Sequence, residues 1–216
     1  MRIETGQQKY LNDLFGQTDV ELETVRAELQ RQDLDFMSIS GAEARILQFF
    51  IRAMNLRKVV EVGTLFGYSA LAMAKALPDD GQIFTLEKSK GNFAVAKKHF
   101  EMFPTAGRKI QAFCGDAVEL LVQIESHGPF DLVFIDADKA GYVTYLDWAE
   151  KNVRSGGLII GDNTFLWGAV YDEPSEDIGQ KSVNAMKEFN QRSSDPTKYN
   201  STLIPTVEGL TVAQKI

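Results

Sequence analysis

The chain places acidic and amide side chains at the ends of two apolar runs. Phe130-Asp131-Leu132-Val133-Phe134-Ile135 leads into Asp136-Ala137-Asp138-Lys139, and Leu158-Ile159-Ile160 leads into Gly161-Asp162-Asn163 after a Gly156-Gly157 turn. Buried strands seldom end so polar. If the two runs are neighbours in a sheet, Asp136, Asp162 and Asn163 converge. Two carboxylates and an amide oxygen, with no Cys or His beside them in sequence, suit a hard divalent cation, Mg²⁺ first with Ca²⁺ or Mn²⁺ as alternatives, rather than zinc. Three protein ligands leave about three octahedral positions for water or substrate. Structural roles compete with this reading: Asp162-Asn163 can form an Asx turn, and Asp138 can cap a helix around Tyr142.

A second constellation follows the first apolar run, Val59-Val60-Glu61-Val62, which turns through Gly63-Thr64-Leu65-Phe66-Gly67 into Tyr68-Ser69. Gly63 and Gly67 allow positive φ and close approach of a ligand to the backbone. Their Gly-x-x-x-Gly spacing is not the Gly-x-Gly-x-x-Gly of a pyrophosphate cradle. Glu61 offers an anion to a positively charged ligand group, and Ser69 with the unpaired N–H groups of a helix start can hold a carboxylate. Glu87, at the end of the next apolar run, can accept both hydroxyls of a ribose. An amino acid joined to a nucleoside is S-adenosylmethionine (SAM). Each residue alone has a plain alternative, the glycines as a simple turn and Glu87 as a solvent-facing carboxylate; the ordered set favours the cofactor.

The elements that must position these residues are legible as alternating segments. Apolar runs at Val59–Val62, Ile83–Leu86, Ile110–Cys114, Leu132–Ile135 and Leu158–Ile160 predict five parallel strands, linked by helices at Tyr68–Leu77, Asn92–Phe103, Ala117–Ile124 and Tyr142–Asn152. A helix at about Lys181–Gln191 then precedes runs at Tyr199–Ile204 and Leu210–Lys215, which predict a hairpin with one strand antiparallel to the rest. Upstream, Val20, Leu22, Val25 and Leu29 keep helical spacing. Ser40 and Glu43 form a capping-box pair before a second helix carrying Ala44, Leu47, Phe50, Ile51 and Met54. No repeat or linker divides the chain, so one domain of 216 residues is expected, with residues 1–56 as a helical arm and 57–216 as an α/β core.

The remaining composition narrows the function. A formal charge of −7 with no dense basic run disfavours nucleic acid as a partner. The N-terminus lacks the apolar stretch of a secretory signal, and no run reaches the ~18 apolar residues of a membrane span. Cys114, the lone cysteine, permits no intrachain disulfide and reads as a small apolar residue, so the expected address is the cytoplasm. His99 on a helix and His127 in a His-Gly-Pro turn read as packing or surface residues, and no Gly-x-Ser-x-Gly elbow occurs.

The segments Glu61 to Ser69, Phe134 to Tyr142 and Gly156 to Thr164 resemble the small metal-dependent O-methyltransferases, the family of caffeoyl-CoA O-methyltransferase and, more remotely, catechol O-methyltransferase. The resemblance runs from about Met37 to the C-terminus. It implies a class I methyltransferase fold: a Rossmann-like, seven-stranded, mostly parallel sheet with the last strand antiparallel and helices on both faces. It also implies a metal at Asp136, Asp162 and Asn163. The cofactor contacts it carries over are Met37, Ile39, Glu61, Gly63, Thr64, Ser69, Glu87, Ala117 and Asp138, with Tyr68, Asp116 and Asp136 beside them. Members are usually homodimers, and the N-terminal helices are candidate interface material. Two departures stand out. Relatives commonly read Asp-Asn-Thr-Leu-Trp-Asn-Gly where this chain has Asp162-Asn163-Thr164-Phe165-Leu166-Trp167-Gly168, and the acidic, Pro-containing segment Tyr171 to Gly179 does not align with theirs and is expected to form part of the acceptor pocket's rim. Trp167 is either a wall of the acceptor pocket or a packing residue.

The expected reaction is methylation of a small catechol-type phenol that chelates the metal, with Lys139 as general base. The alternatives are an NAD-dependent oxidoreductase on a related doubly wound sheet, disfavoured by the glycine spacing, and a non-catalytic cofactor-binding module. A nucleic-acid methyltransferase is disfavoured by the acidic charge.

Overall fold

The structure is a computed structural model that describes residues 6–15, 19–172 and 178–216. In chain order the helices and strands are α1 (Gly6–Phe15), α2 (Val20–Arg31), α3 (Gly41–Ala53), β1 (Lys58–Val62), α4 (Tyr68–Ala76), β2 (Gln82–Glu87), α5 (Lys90–Met102), α6 (Pro104–Gly107) and β3 (Ile110–Cys114). They continue as α7 (Ala117–Ile124), β4 (Phe130–Ile135), α8 (Tyr142–Asn152), β5 (Val153–Asp162), α9 (Gln180–Ser193), β6 (Tyr199–Ile204) and β7 (Leu210–Lys215). Among the described residues the seven strands form one sheet in the order β3-β2-β1-β4-β5-β7-β6. The pairs β2–β3, β1–β4 and β4–β5 are parallel, and β7 runs antiparallel to β5 and β6. The alternating runs and the closing hairpin thus form as the sequence predicts.

Backbone contacts gather the chain into two compact units, the described residues to Arg57 with 64–116, and 58–63 with 117–216. In the first, α2 starts at Asp19, whose carboxylate accepts the N–H groups of Glu21 (3.1 Å) and Leu22 (3.3 Å). The predicted capping box starts α3: Ser40 Oγ accepts Glu43 N–H at 3.2 Å and Glu43 Oε2 accepts Ser40 N–H at 2.8 Å. Such a cap contributes about 1 kcal/mol. The apolar face so fixed, Ala44, Leu47 and Ile51, is buried, and Gln48 donates to the Ala72 carbonyl of α4 at 2.8 Å. Lys75 of α4 closes the set from the other side, reaching Asp19 at 2.8 Å and Glu21 at 2.5 Å. In the same unit β3 ends at Cys114, which is exposed.

In the second unit, continuous burial of Val59, Val60 and Val62, of Leu132 to Ile135 and of Leu158 to Ile160 explains why these strands read as unbroken apolar runs. Each such side chain contributes roughly 1.5–3 kcal/mol. One expectation is corrected here. Gly156 and Gly157 do not make a turn before a short strand; they lie inside the ten-residue β5, where the register against β4 shifts between Phe130 and Leu132. A Cβ at Gly157 would meet the Asp131 carbonyl oxygen of β4 at 2.8 Å. The glycine is there to let two strands approach at a bulge.

Candidate active site

The tips of β4 and β5 carry the acidic set. Because Ile135 pairs with Gly161 in parallel register, the next residues, Asp136 and Asp162, leave the sheet at the same level on adjacent strands, which lie roughly 4.8 Å apart. Asp136 N–H still donates to the Val62 carbonyl at 2.9 Å, which pins this tip to β1. Gly63, at φ 102°, passes so close that a Cβ there would stand 1.9 Å from the Asp136 carbonyl oxygen. Asp162 and Asn163 are buried, and Asn163 holds a left-handed φ of 55°, a conformation asparagine tolerates better than most residues.

Lys139 and Tyr142 complete this set. Residues Lys139–Gly141 form one 3-10 turn that delivers the chain into α8. Lys139 Nζ donates to Asp136 Oδ1 at 3.2 Å and to the Tyr142 hydroxyl at 2.9 Å. The Tyr142 hydroxyl in turn meets the carbonyl oxygens of Ile135 (2.9 Å) and Asp162 (2.7 Å). Burial first, then the negative charges of Asp136, Asp162 and Asp138, push this hydroxyl well above the usual tyrosine range, so it stays protonated as a donor. Asp138 makes no helix-capping bond, which corrects that alternative; its Oδ1 accepts the Tyr145 hydroxyl at 2.6 Å.

Among the described residues there is no cluster of three or more His, Cys, Asp and Glu arranged to hold a metal. The set at these tips is of a different composition, two carboxylates and an amide. Its chemistry fits a hard cation: every donor is oxygen, two negative charges sit in neighbouring register, and the one ammonium beside them leaves the set net negative.

The cofactor candidates of the first unit form two groups. Glu87 accepts Leu65 N–H at 2.8 Å and Ser89 N–H at 2.7 Å, so each oxygen already holds one backbone donor; a carboxylate with about four lone-pair directions keeps the rest for a ligand. Thr64 Oγ1 and Thr85 Oγ1 are 2.5 Å apart, tying this loop to β2, and Gly67, at φ 88°, starts α4 where a Cβ would strike the Phe100 ring at 2.5 Å. The second group is joined by Arg26, which the sequence reading missed. Its guanidinium donates to the Ile39 carbonyl at 3.0 Å and lies over the Tyr68 ring at 4.2 Å from the centroid. Met37 is 52% exposed, whereas Ile39 and Ser69 are buried. Asp116 accepts Lys88 Nζ at 3.4 Å. Glu61, in the second unit, is fully buried on β1, and Ala117 is the first residue of α7.

After Asn163 the chain makes a tight, strained passage. Leu166 and Trp167 both hold left-handed φ, 49° and 51°, and the Trp167 side chain is 58% exposed, so it is not the packing residue of the second alternative. Phe165 packs edge-on against Tyr171 at 5.7 Å. Of the segment Tyr171 to Gly179, residues 173–177 lie outside the described residues. His99 is a packing residue, its Nδ1 2.9 Å from the Phe66 carbonyl oxygen.

This strand order, with its antiparallel seventh strand and flanking helices, is the class I methyltransferase fold. The O-methyltransferase family profile matches residues 15–216, nearly the whole chain, and the protein belongs to that family. It is 34% identical over 200 residues to a catechol O-methyltransferase of Niastella koreensis, covering 92% of this chain and 89% of that one. It is 31% identical over 190 residues to caffeoyl-CoA O-methyltransferase 2 of Eucalyptus globulus, covering 84% of this chain and 76% of that one. Among solved structures it is similar to an O-methyltransferase from Streptomyces achromogenes involved in tomaymycin synthesis, in complex with SAM. That match has a TM-score of 0.88, 27% identity and coverage of 100% and 99%. An O-methyltransferase from Bacillus cereus in complex with SAH matches with a TM-score of 0.87, 30% identity and coverage of 98% of both chains. Family membership removes the dehydrogenase reading of the doubly wound sheet.

Proposed function

We propose that this chain transfers a methyl group from SAM to one oxygen of a small catechol-type phenol, with a divalent cation at Asp136, Asp162 and Asn163. The observation that carries the reading is the common level at which Asp136 and Asp162 leave two adjacent strands, with the Lys139 ammonium 3.2 Å from Asp136 Oδ1, in a chain of the O-methyltransferase family. Relatives named for catechol and caffeoyl-CoA support a vicinal dihydroxy acceptor, and the neighbours described with SAM and SAH support the donor.

When bound, the donor supplies an electrophilic methyl group and the cation supplies Lewis acidity that eases loss of the acceptor's phenolic proton. The chain's own residues do the rest. Asp136, Asp162 and Asn163 would hold the cation with their oxygen donors. Lys139 Nζ stands beside Asp136 as the group placed to take up the phenolic proton. Glu87, with its backbone-fixed oxygens, binds ribose hydroxyls; Gly63 and Thr64 keep the loop before α4 open to the donor, and Ser69 at the start of that helix takes the donor carboxylate. Positioning contributes most of the acceleration, since a held nucleophile has already lost its approach entropy.

Incubating the full chain with SAM and a panel of catechol-type acceptors, with and without Mg²⁺, tests this by mass spectrometry. One added methyl group that appears only with metal is expected; transfer to monophenols alone would overturn the acceptor assignment. We also assign the protein a homodimeric, cytoplasmic state. The exposed apolar side chains of Tyr10, Leu11, Leu14 and Phe15 on α1 support a partner surface, and sedimentation equilibrium at twice the chain mass is the expected result.

A further inference from the structure

Tyr142 opens α8, has no exposed surface and belongs to none of the ligand or base assignments above. Its ring packs edge-on against Phe189 of α9 at 5.2 Å, which fixes where the hydroxyl points. That hydroxyl meets two backbone carbonyls from different strands, Ile135 O at 2.9 Å and Asp162 O at 2.7 Å, and accepts from Lys139 Nζ at 2.9 Å. The identity of these carbonyls matters. Ile135 O belongs to the peptide that carries Asp136, and Asp162 O to the peptide that joins Asp162 to Asn163. One phenol proton, shared between two acceptors, therefore ties together the backbone from which all three cation ligands project. The same oxygen anchors the lysine beside them.

We propose that Tyr142 is the positioning residue of this site, setting the separation of the β4 and β5 tips for cation binding and the orientation of Lys139 for proton transfer. The proposal rests on the functional reading above and adds to it a residue that touches neither cation nor acceptor. Partners in an outer shell that orient ligands typically change metal affinity 10- to 100-fold when removed. A hydroxyl that orders three ligands at once falls within that range.

The test compares the full chain with Tyr142→Phe, which keeps the ring and its Phe189 contact and deletes only the oxygen. Mn²⁺ binding is measured by electron paramagnetic resonance titration without donor or acceptor, so the readout does not depend on activity. Tyr142→Phe is expected to weaken Mn²⁺ about 10-fold or more. Tyr199→Phe, which removes the hydroxyl of a buried tyrosine bonded to Glu150 in the same unit at 2.8 Å, is expected to leave it unchanged. Lys139→Met removes a positive charge beside Asp136 and is expected to tighten Mn²⁺, opposite in sign to Tyr142→Phe. Equal Mn²⁺ affinity in the native chain and Tyr142→Phe overturns the proposal and leaves the functional reading intact. Equal weakening in all three variants overturns it as general damage. Failure of the native chain to bind Mn²⁺ overturns the functional reading and this proposal with it.

Discussion

Gly63 allows a sharp separation of two kinds of strain. At φ 102° it lies in a region that L side chains rarely enter, and a Cβ there would stand 1.9 Å from the Asp136 carbonyl oxygen and 2.8 Å from its carbon. Both are backbone atoms of the tip that carries a cation ligand, so neither can rotate away. Gly156, at φ 74°, has the same conformational demand but a different neighbour, the guanidinium Nη1 of Arg154 at 3.3 Å, which is the far end of a flexible side chain. Gly156→Ala therefore meets the left-handed penalty alone, about 1–2 kcal/mol. Gly63→Ala meets that penalty plus overpacking of about 1–3 kcal/mol. Urea denaturation of the full chain, with ΔG extrapolated to zero denaturant, should place Gly63→Ala below Gly156→Ala by about 1–3 kcal/mol. Because relief requires the Asp136 peptide to move, Gly63→Ala should also lose Mn²⁺ affinity while Gly156→Ala keeps it. Equal destabilisation of the two variants would refute the close approach of Gly63 to Asp136.

Three further outcomes follow from the same geometry. Lys139→Ala should lower kcat about 100-fold or more, the scale of a general base, with the SAM dissociation constant unchanged by calorimetry; unchanged kcat removes Lys139 from proton transfer. Arg26→Met breaks the bond to Ile39 and the stack on Tyr68, so KM for SAM should rise several-fold while KM for the acceptor stays constant, and Arg26→Lys should restore part of the loss through its charge over the ring. At the α2–α4 clasp, burial opposes charge on both Asp19 and Lys75, but Lys75 and the Leu22 and Glu21 N–H groups outweigh it at Asp19, lowering that pKa below 3.8, and the Asp19 and Glu21 carboxylates outweigh it at Lys75, raising that pKa above 10.5. The stability Asp19 contributes is present above pH 3.8 and lost as pH falls through its lowered value. That of Lys75 is present below pH 10.5 and lost as pH rises through its raised value. Lys75→Met should thus cost about 1 kcal/mol or less at pH 7, with the difference from the native chain shrinking at both extremes in thermal melts.

How far the sequence could be read depended on what each residue type says about its surroundings. Apolar runs without alternation predict strands buried on both faces, and Val59 to Val62 and Leu132 to Ile135 obey this. Ser40 and Glu43 announce a helix start because both halves of the capping box are local. The β5 glycines could not be assigned from sequence, since a turn and a bulge need the same residue; what distinguishes them is the Asp131 carbonyl on a neighbouring strand. The acidic tips were legible because charge at the end of a buried run is costly without a purpose. Tyr142 and Arg26 were not. A tyrosine in the first turn of a helix reads as packing, and an arginine on an amphipathic helix reads as solvent-facing; their roles lie in carbonyls and rings distant in sequence. Only the Lys-x-x-Tyr spacing, which puts both residues on one turn, could have hinted at the first. Nothing in Phe165-Leu166-Trp167 signals successive left-handed residues, a conformation imposed by the chain's path after Asn163.

The most direct test of the account strips divalent metal from the full chain with a chelator and follows methyl transfer from SAM to a catechol acceptor as Mg²⁺ is added back, in the native chain and in Asp162→Ala. The account predicts no turnover in chelator, saturable recovery with Mg²⁺ in the native chain and no recovery in Asp162→Ala. Full turnover in chelator, or recovery undiminished in Asp162→Ala, would contradict it.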